Sequence, residues 1–371
     1  MNRKQEFELK MERIGAYCEA KGLDGVALSR VENVAWLGCG ADSAVNTASE
    51  TGVATLVARG GRCVLVTNNI EAERLKEEEL AGVPIADVAV HNWWEPAEAA
   101  TLAGKLAEGG EVASDTGLGG LAQLGGDFAR LRWELTAAEV ERYRALGADA
   151  SAAIENTLGV LVRGMRESDI AGAFALECMK KGIHPLVLLV ACDERLPRWR
   201  HPIYKEAALD RAAMIVLCGR RRGLVAALTR MVSVGESDEE LLRRHEAVCF
   251  VDATMMVSTR VGRPAVEVLE AAKRAYAERG FADEWQLHHQ GGAIGYCTRD
   301  YVAVPGLEAV VASPQAFAWN PSITGTKSED TILVTEGEPE VLTACSEGFP
   351  SLEFDIEGVR VVRAGVATIE A

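Results

Sequence analysis

Residues 135–162 read LTAAEVERYRALGADASAAIENTLGVLV, and the reading of the whole chain works outward from them. The stretch predicts a long amphipathic helix. Thr136 and Glu139 stand three apart at its start, the spacing of a capping box that satisfies the first free backbone N–H groups of a helix. Before it lies GLGGLAQLGGDFARLRW (117–133), rich in Gly and Leu and suited to a boundary between two domains. Upstream, residues 9–23 have a helical period, and GVALS, TGVATLVA and RCVLVTN read as strands, the last two joined through Gly60–Gly61. A helix is predicted at 70–80. This is a small α/β arrangement ending near residue 130.

Downstream, ESDIAGAFALECMKK predicts a helix over 167–181 that stops at Gly182. Strands are expected near 186–191, 213–218, 224–230 and 249–255, then a helix over 264–279. Strands near 315–318, 331–335 and 340–343 complete the pattern, which is two α+β-type domains in series, 1–130 and 131–371.

Composition bounds the function. The 371 residues are 48% hydrophobic and 25% charged, which fits a globular chain of two domains. A net charge of −16 repels nucleic acid and anionic membrane, and Arg220–Arg221–Arg222 is too short a run to reverse that. No apolar stretch approaches the roughly 20 residues of a membrane span, and Met1–Glu8 lacks a secretion signal's apolar run. The expectation is a cytoplasmic protein without nucleic-acid or membrane partners. Nine scattered cysteines without a CxxC pair point to reduced thiols.

Several motifs now resemble one family in the same order. The 135–162 helix with VRGMRESDIAGAF (162–174) is similar to the opening of the creatinase/aminopeptidase P/prolidase family. RHPIY (200–204) resembles its "H-P" site, and GLVAALTRMVSVG (223–235) its "S-D-x-T-R-T" strand. HHQGGAIG (288–295) is similar to "H-x-x-G-H-x-I-G", WNPSI (319–323) to "x-E-P-G-I", and SEDTILVTEGEPEVLT (328–343) to the family's closing "E-D-T" strand. The resemblance implies a small creatinase-type N-terminal domain followed by a pita-bread domain. It also implies a homodimer, in which one N-domain borders the other subunit's site.

Relatives hold a metal pair with two Asp, one His and two Glu, the hard donors such ions need. Placed on that pattern, this sequence departs at most positions. Ala227 stands for the second Asp, Val216 or Cys218 for the first, Gly292 for the His, and Asn320 for the first Glu. Glu329 alone is kept. The resemblance therefore implies a member with no metal cofactor.

Two readings follow. In the first, the chain is a metal-independent hydrolase acting on a small C–N compound, with His201 as general acid/base, a role imidazole fills near neutral pH. His288 would share the catalytic site, and Glu329, Asn320, Arg299 and His289 would bind a small polar substrate. By resemblance to creatinase, Glu329 would receive a guanidinium, although Thr229 stands where a second such Glu belongs. A salt bridge from Glu329 to Arg230 is the structural alternative. On an extended segment His289 would point away from His288. Cys218 reads either as a thiol nucleophile paired with His201 or as a buried strand cysteine. Trp93–Trp94 reads as an aromatic patch that fills core or interface. In the second reading the chain is a non-catalytic pita-bread binding or assembly protein.

Overall fold

The computed structural model describes residues 1–370 and divides into two compact units, Met1–Arg132 with Thr136–Ala138, and Trp133–Leu135 with Glu139 onward. In the first, the helix Arg3–Lys21 begins at a capping box in which the Asn2 side chain accepts from Gln5 N–H and Gln5 reaches back. It ends at Gly22, whose φ of 66° is the left-handed geometry of a helix C-terminus. A six-stranded sheet follows, with Gly25–Arg30, Thr51–Arg59 and Arg62–Asn68 antiparallel at its centre. Gly60 and Gly61 close the hairpin at φ 57° and 74°, so both turn residues take the conformation that hairpins matching strand twist require. The helix Glu98–Ala107 lays Ala103 and Ala107 on Ala27, Val57 and Val66 of the sheet.

The second unit holds two larger sheets and two hairpins, Ser322–Ile323 with Thr326–Lys327 and Ser351–Ile356 with Val359–Ala364. Four strands run in the order Val366–Ile369, Leu224–Val234, Ala212–Arg221, His184–Cys192. Five run Tyr301–Val302, Gly291–Ile294, Gln315–Trp319, Asp330–Val334, Glu340–Val341. The helices Glu239–Ser258 and Val266–Glu278 cover the five-stranded sheet, where Val251, Met255, Leu269 and Tyr276 pack with Phe317, Trp319 and Ile332. Each large apolar side chain buried there contributes about 1.5–3 kcal/mol. The two sheets meet where Thr229 pairs with Glu329, and Ala227 exchanges backbone hydrogen bonds with the Thr331 hydroxyl at 2.7 and 2.9 Å. This is the α+β pita-bread arrangement.

One expectation needs correcting. Residues 249–255 are the second half of the helix Glu239–Ser258, not a strand. That half is buried almost all round, so the apolar run shows no helical stripe. The helix expected over 70–80 is present over 72–79, opening as one α-turn, Ala72–Arg74, and widening to a π-helix over Leu75–Glu79. Of the two readings of Trp93–Trp94, core or interface, the core one falls: each is 57% exposed, with the two rings edge to face at 5.7 Å. All nine cysteines are free and seven are buried. No helix among the described residues is long and apolar enough to cross a membrane.

Candidate active site

The site forms where the two sheets of the second unit meet. Strand pairing sets Cys218 opposite Ala227 and Val216 opposite Thr229, so all four project from one face. Thr229 identifies that face, because its hydroxyl donates to Glu329 Oε2 at 2.7 Å. Both positions proposed for the first lost Asp therefore look toward Glu329.

Both oxygens of Glu329 are engaged by the protein. Arg299 Nη2 donates to Oε1 at 3.1 Å, and Lys327 Nζ lies 3.7 Å from Oε2. All three side chains are buried or nearly so. Burial alone raises the Glu329 carboxyl. Lys327 and Arg299, with the Thr229 bond, outweigh it and hold the group below the usual carboxylate range. Glu329 is thus paired with Arg299 and not with Arg230, which reaches Asp330 at 2.9 Å. Lys327 went unnoticed in the sequence. A signal was present: it stands two residues before Glu329, and alternate residues of an extended segment share a face.

Three imidazoles gather beside these charges. His201 comes from the long loop after His184–Cys192, and His288 and His289 from the segment entering Gly291–Ile294. His201 Nε2 and His288 Nε2 are 3.0 Å apart, so one donates and the other accepts. His289 does not point away. Its ring stacks on His288 at 4.4 Å and lies 5.6 Å from His201. A local turn causes this: His289 Nδ1 accepts from Gly291 N–H at 3.3 Å, and Gly291 has φ +89°. His288 is buried while the other two keep solvent access. Burial, then Lys327, lowers the pKa of His201. Burial and Lys327 lower His288 further, and burial with Arg299 brings His289 to about 4. All three are neutral at neutral pH.

Cys218 is no nucleophile in waiting. Burial, and then Glu329, push its thiol up to about 11. Asn320 is buried with its Oδ1 unpaired, as is His288 Nδ1. Gly292 cannot carry a side chain here, because a Cβ would lie 2.0 Å from the Tyr301 carbonyl oxygen. A cleft of about 300 Å³, lined by Trp285, Leu287, Pro305 and the outer faces of His288 and His289, opens alongside. Among the described residues, the three imidazoles are the one group of His, Cys, Asp or Glu whose donor atoms, all within 4.8 Å of one another, are placed to hold an ion. Lys327 and Arg299 act on the same space with positive charge.

The profile of metallopeptidase family M24 matches residues 141–336, and that of the creatinase/prolidase N-terminal domain matches residues 10–164. The chain belongs to metallopeptidase family M24, with the two-domain plan of creatinases and prolidases. It is 23% identical over 214 residues to an uncharacterized peptidase of Staphylococcus haemolyticus, a match covering 55% of this chain and 61% of that protein. Among solved structures, dipeptidase PepE from Mycobacterium ulcerans superposes with a TM-score of 0.74 at 20% identity, covering 99% of each chain. The prolidase from Pyrococcus horikoshii superposes at 0.75 with 18% identity, over 91% of this chain and 99% of that one.

Proposed function

We propose that this chain is a metal-independent hydrolase of the creatinase/Xaa-Pro aminopeptidase type, acting on a C–N bond of a small polar compound with His201 as general acid/base. The observation that carries this reading is the 3.0 Å contact between His201 and His288, from distant parts of the chain, beside Glu329 and its two cations. A binding scaffold has no need to bring two neutral imidazoles into one solvent-accessible site.

The donor set does not fit the family's metal pair. The one carboxylate is bonded to a guanidinium and flanked by an ammonium. The position of the lost histidine is closed by the Tyr301 carbonyl. The family's metal pair needs several hard anionic donors, and here two fixed cations stand in their place.

In the tautomer in which His201 donates Nε2–H to His288, its Nδ1 is the base. Water adds to the electrophilic carbon as Nδ1 takes its proton. The imidazolium then returns that proton to the departing nitrogen as the C–N bond breaks, so the net reaction consumes one water. His288, buried and neutral, holds the His201 ring in place. A guanidinium substrate is disfavoured, because Glu329 is already taken by the protein's own guanidinium.

The test is turnover of N-acyl amino acids, proline dipeptides and amine metabolites in the presence of EDTA. Activity that survives chelation and falls about 10²–10⁴-fold in His201→Ala supports the mechanism. Full activity in that variant, or activity that appears only with added Mn²⁺ or Co²⁺, ends it. A homodimer with no nucleic-acid partner belongs to the same reading, and sedimentation tests the first part.

A further inference from the structure

We propose that Arg200 and Glu284 are positioning residues, whose ion pair brings His201 onto His288 and holds the two imidazoles in contact. This rests on the reading of the site given above and names the residues that aim its general acid/base.

Two segments meet at that contact, and they are built differently. Glu284 opens the 3₁₀ turn Glu284–Leu287, which runs directly into His288 and His289. This turn is fixed from within by the Gln290 amide, which is 1% exposed. Its Nε2 donates to the carbonyls of Trp285 at 3.1 Å and His288 at 2.6 Å, and its Oε1 accepts from the Tyr276 hydroxyl at 2.9 Å. His201 lies in the loop between His184–Cys192 and Ala212–Arg221. Glu167 ties the ends of that loop, accepting from the N–H groups of Cys192 at 2.8 Å and Lys205 at 2.7 Å. The middle is left to be placed: among the described residues, neither Arg200 nor His201 makes a hydrogen bond to another backbone group through its own backbone.

The Arg200 side chain supplies the missing tie. Its Nη2 donates to Glu284 Oε2 at 2.5 Å and to the Thr324 hydroxyl at 2.9 Å, and its Nη1 to the Ser322 hydroxyl at 3.2 Å. Glu284 accepts in turn from Thr324, through the hydroxyl at 2.8 Å and the N–H at 3.0 Å. Guanidinium, carboxylate and hydroxyl thus close a ring, with the two charged side chains only 20% and 18% exposed. Charge-assisted bonds of this kind are strong, and the rigid fork of an arginine is pre-organised for several acceptors. Thr324 stands in the turn between Ser322–Ile323 and Thr326–Lys327, so the clamp also takes in the strand that leads to Lys327 and Glu329.

Arg200 is one residue before His201, and Glu284 is four before His288. Joining these two side chains therefore registers the two segments where Nε2 meets Nε2 at 3.0 Å. A general base works only within hydrogen-bond reach of its proton, and a shift of about 1 Å can cost on the order of 10²-fold in rate.

Imidazole ¹⁵N–¹H NMR of the full chain reads the His201–His288 hydrogen bond as a slowly exchanging Nε2–H signal on one of the two rings. His245, held between Thr326 and Ala364, is the internal control for folding. The signal is expected in the parent chain and lost in Arg200→Met and Glu284→Gln, with the His245 signals unchanged. Thr324→Val weakens it and Thr324→Ser keeps it. With N-acyl amino acids and proline dipeptides, each charge variant is expected to lower kcat about 10–10²-fold with KM held within about threefold. The double variant is expected to be no slower than either single one, as residues acting in one unit are. A parent chain without the signal, a signal kept in both charge variants, or a loss confined to KM overturns the proposal. If Arg200→Met does not fold, Glu284→Gln and the two Thr324 variants decide by the same signals. Signals that respond as expected, in a chain that turns over none of these compounds, remove the hydrolase reading and leave the clamp. Turnover that falls in His201→Ala and is unchanged in Arg200→Met and Glu284→Gln removes the clamp and leaves the hydrolase.

Discussion

Glu329 and Asp330 follow one another in the chain and point to opposite sides of the same segment, each into an ionic cluster. On the Asp330 side two arginines meet two aspartates. Arg363 Nη2 lies 2.6 Å from both Asp252 Oδ2 and Asp330 Oδ2, and Arg230 Nη2 lies 2.9 Å from Asp330 Oδ1. Thr343 and Ser328 add hydroxyl donors at 2.6 Å. On the Glu329 side two cations meet one carboxylate, one of them outside hydrogen-bond range. The first cluster is balanced in charge and held by short ion pairs, although Arg230 Nε and Arg363 Nε and Nη1 are buried there without a partner. The second carries a surplus positive charge and borders solvent-accessible imidazoles. The contrast is one of charge balance: two arginines meet two aspartates on one side of the strand, and two cations share one carboxylate on the other.

The largest expected effect comes from breaking the balanced side. Arg363→Met leaves Asp252 and Asp330 with less compensation, and chemical denaturation is expected to report a loss of about 3–5 kcal/mol. A loss below about 1 kcal/mol would make the two clusters energetically alike.

Next is pH. His245 is fully buried between the Thr326 hydroxyl at 2.8 Å and the Ala364 carbonyl at 2.9 Å, and burial brings its pKa to about 4. The folded chain then holds fewer protons than the unfolded chain between about pH 4 and the ordinary imidazole value of about 6.5. Stability therefore rises with pH through that window and is lost as pH falls through it, by about 1.4 kcal/mol per unit for this imidazole. Asp252, raised by burial to about 6 against the pull of Arg363, works in the opposite sense over part of the window. The difference between the parent chain and His245→Gln isolates the histidine, and the variant's curve is expected to be flatter.

Smaller still is the effect of Lys327→Met on the empty chain. Removing the surplus cation is expected to change stability by less than about 1 kcal/mol or to increase it, since an uncompensated buried charge is taken away. A loss of 3 kcal/mol or more would place Lys327 with the structural arginines instead. The smallest effect is that of metals. Millimolar Mn²⁺, Co²⁺ or Zn²⁺ is expected to leave the melting temperature within about 1 °C, because Lys327 and Arg299 oppose a cation at the three imidazoles. A clear rise with Zn²⁺ alone would assign those imidazoles to an ion.

Much of this fold could be read from local chemistry. The Gly60–Gly61 hairpin and the helices Ala137–Leu158 and Glu167–Lys180 follow from turn residues, caps and period. The helix Glu239–Ser258 was misread because its buried half mixes β-branched and aromatic residues without a polar face. Asp238, whose carboxylate accepts from the N–H groups of Glu240 and Leu241, was an available sign of its start. The site was legible in part. His201, His288 and Glu329 stand out by residue type and order. The pairing of Arg299 with Glu329 joins residues 30 apart on different elements, and nothing local announces it. The gathering of His289 with His288 depends on the turn at Gly291, which overrides strict alternation.

The adjacency of Glu329 and Asp330 also bears on how the chain reaches its native state. Sliding this strand by one residue against Gln315–Trp319 would send Asp330 into the site and Glu329 into the core. There the longer side chain would have to fit against Arg230 and Arg363 in a space shaped for the shorter one. The misregistered strand would thus spoil the core and the site together. A molecule that has assembled its interior correctly has, by the same act, put the right carboxylate on the right side.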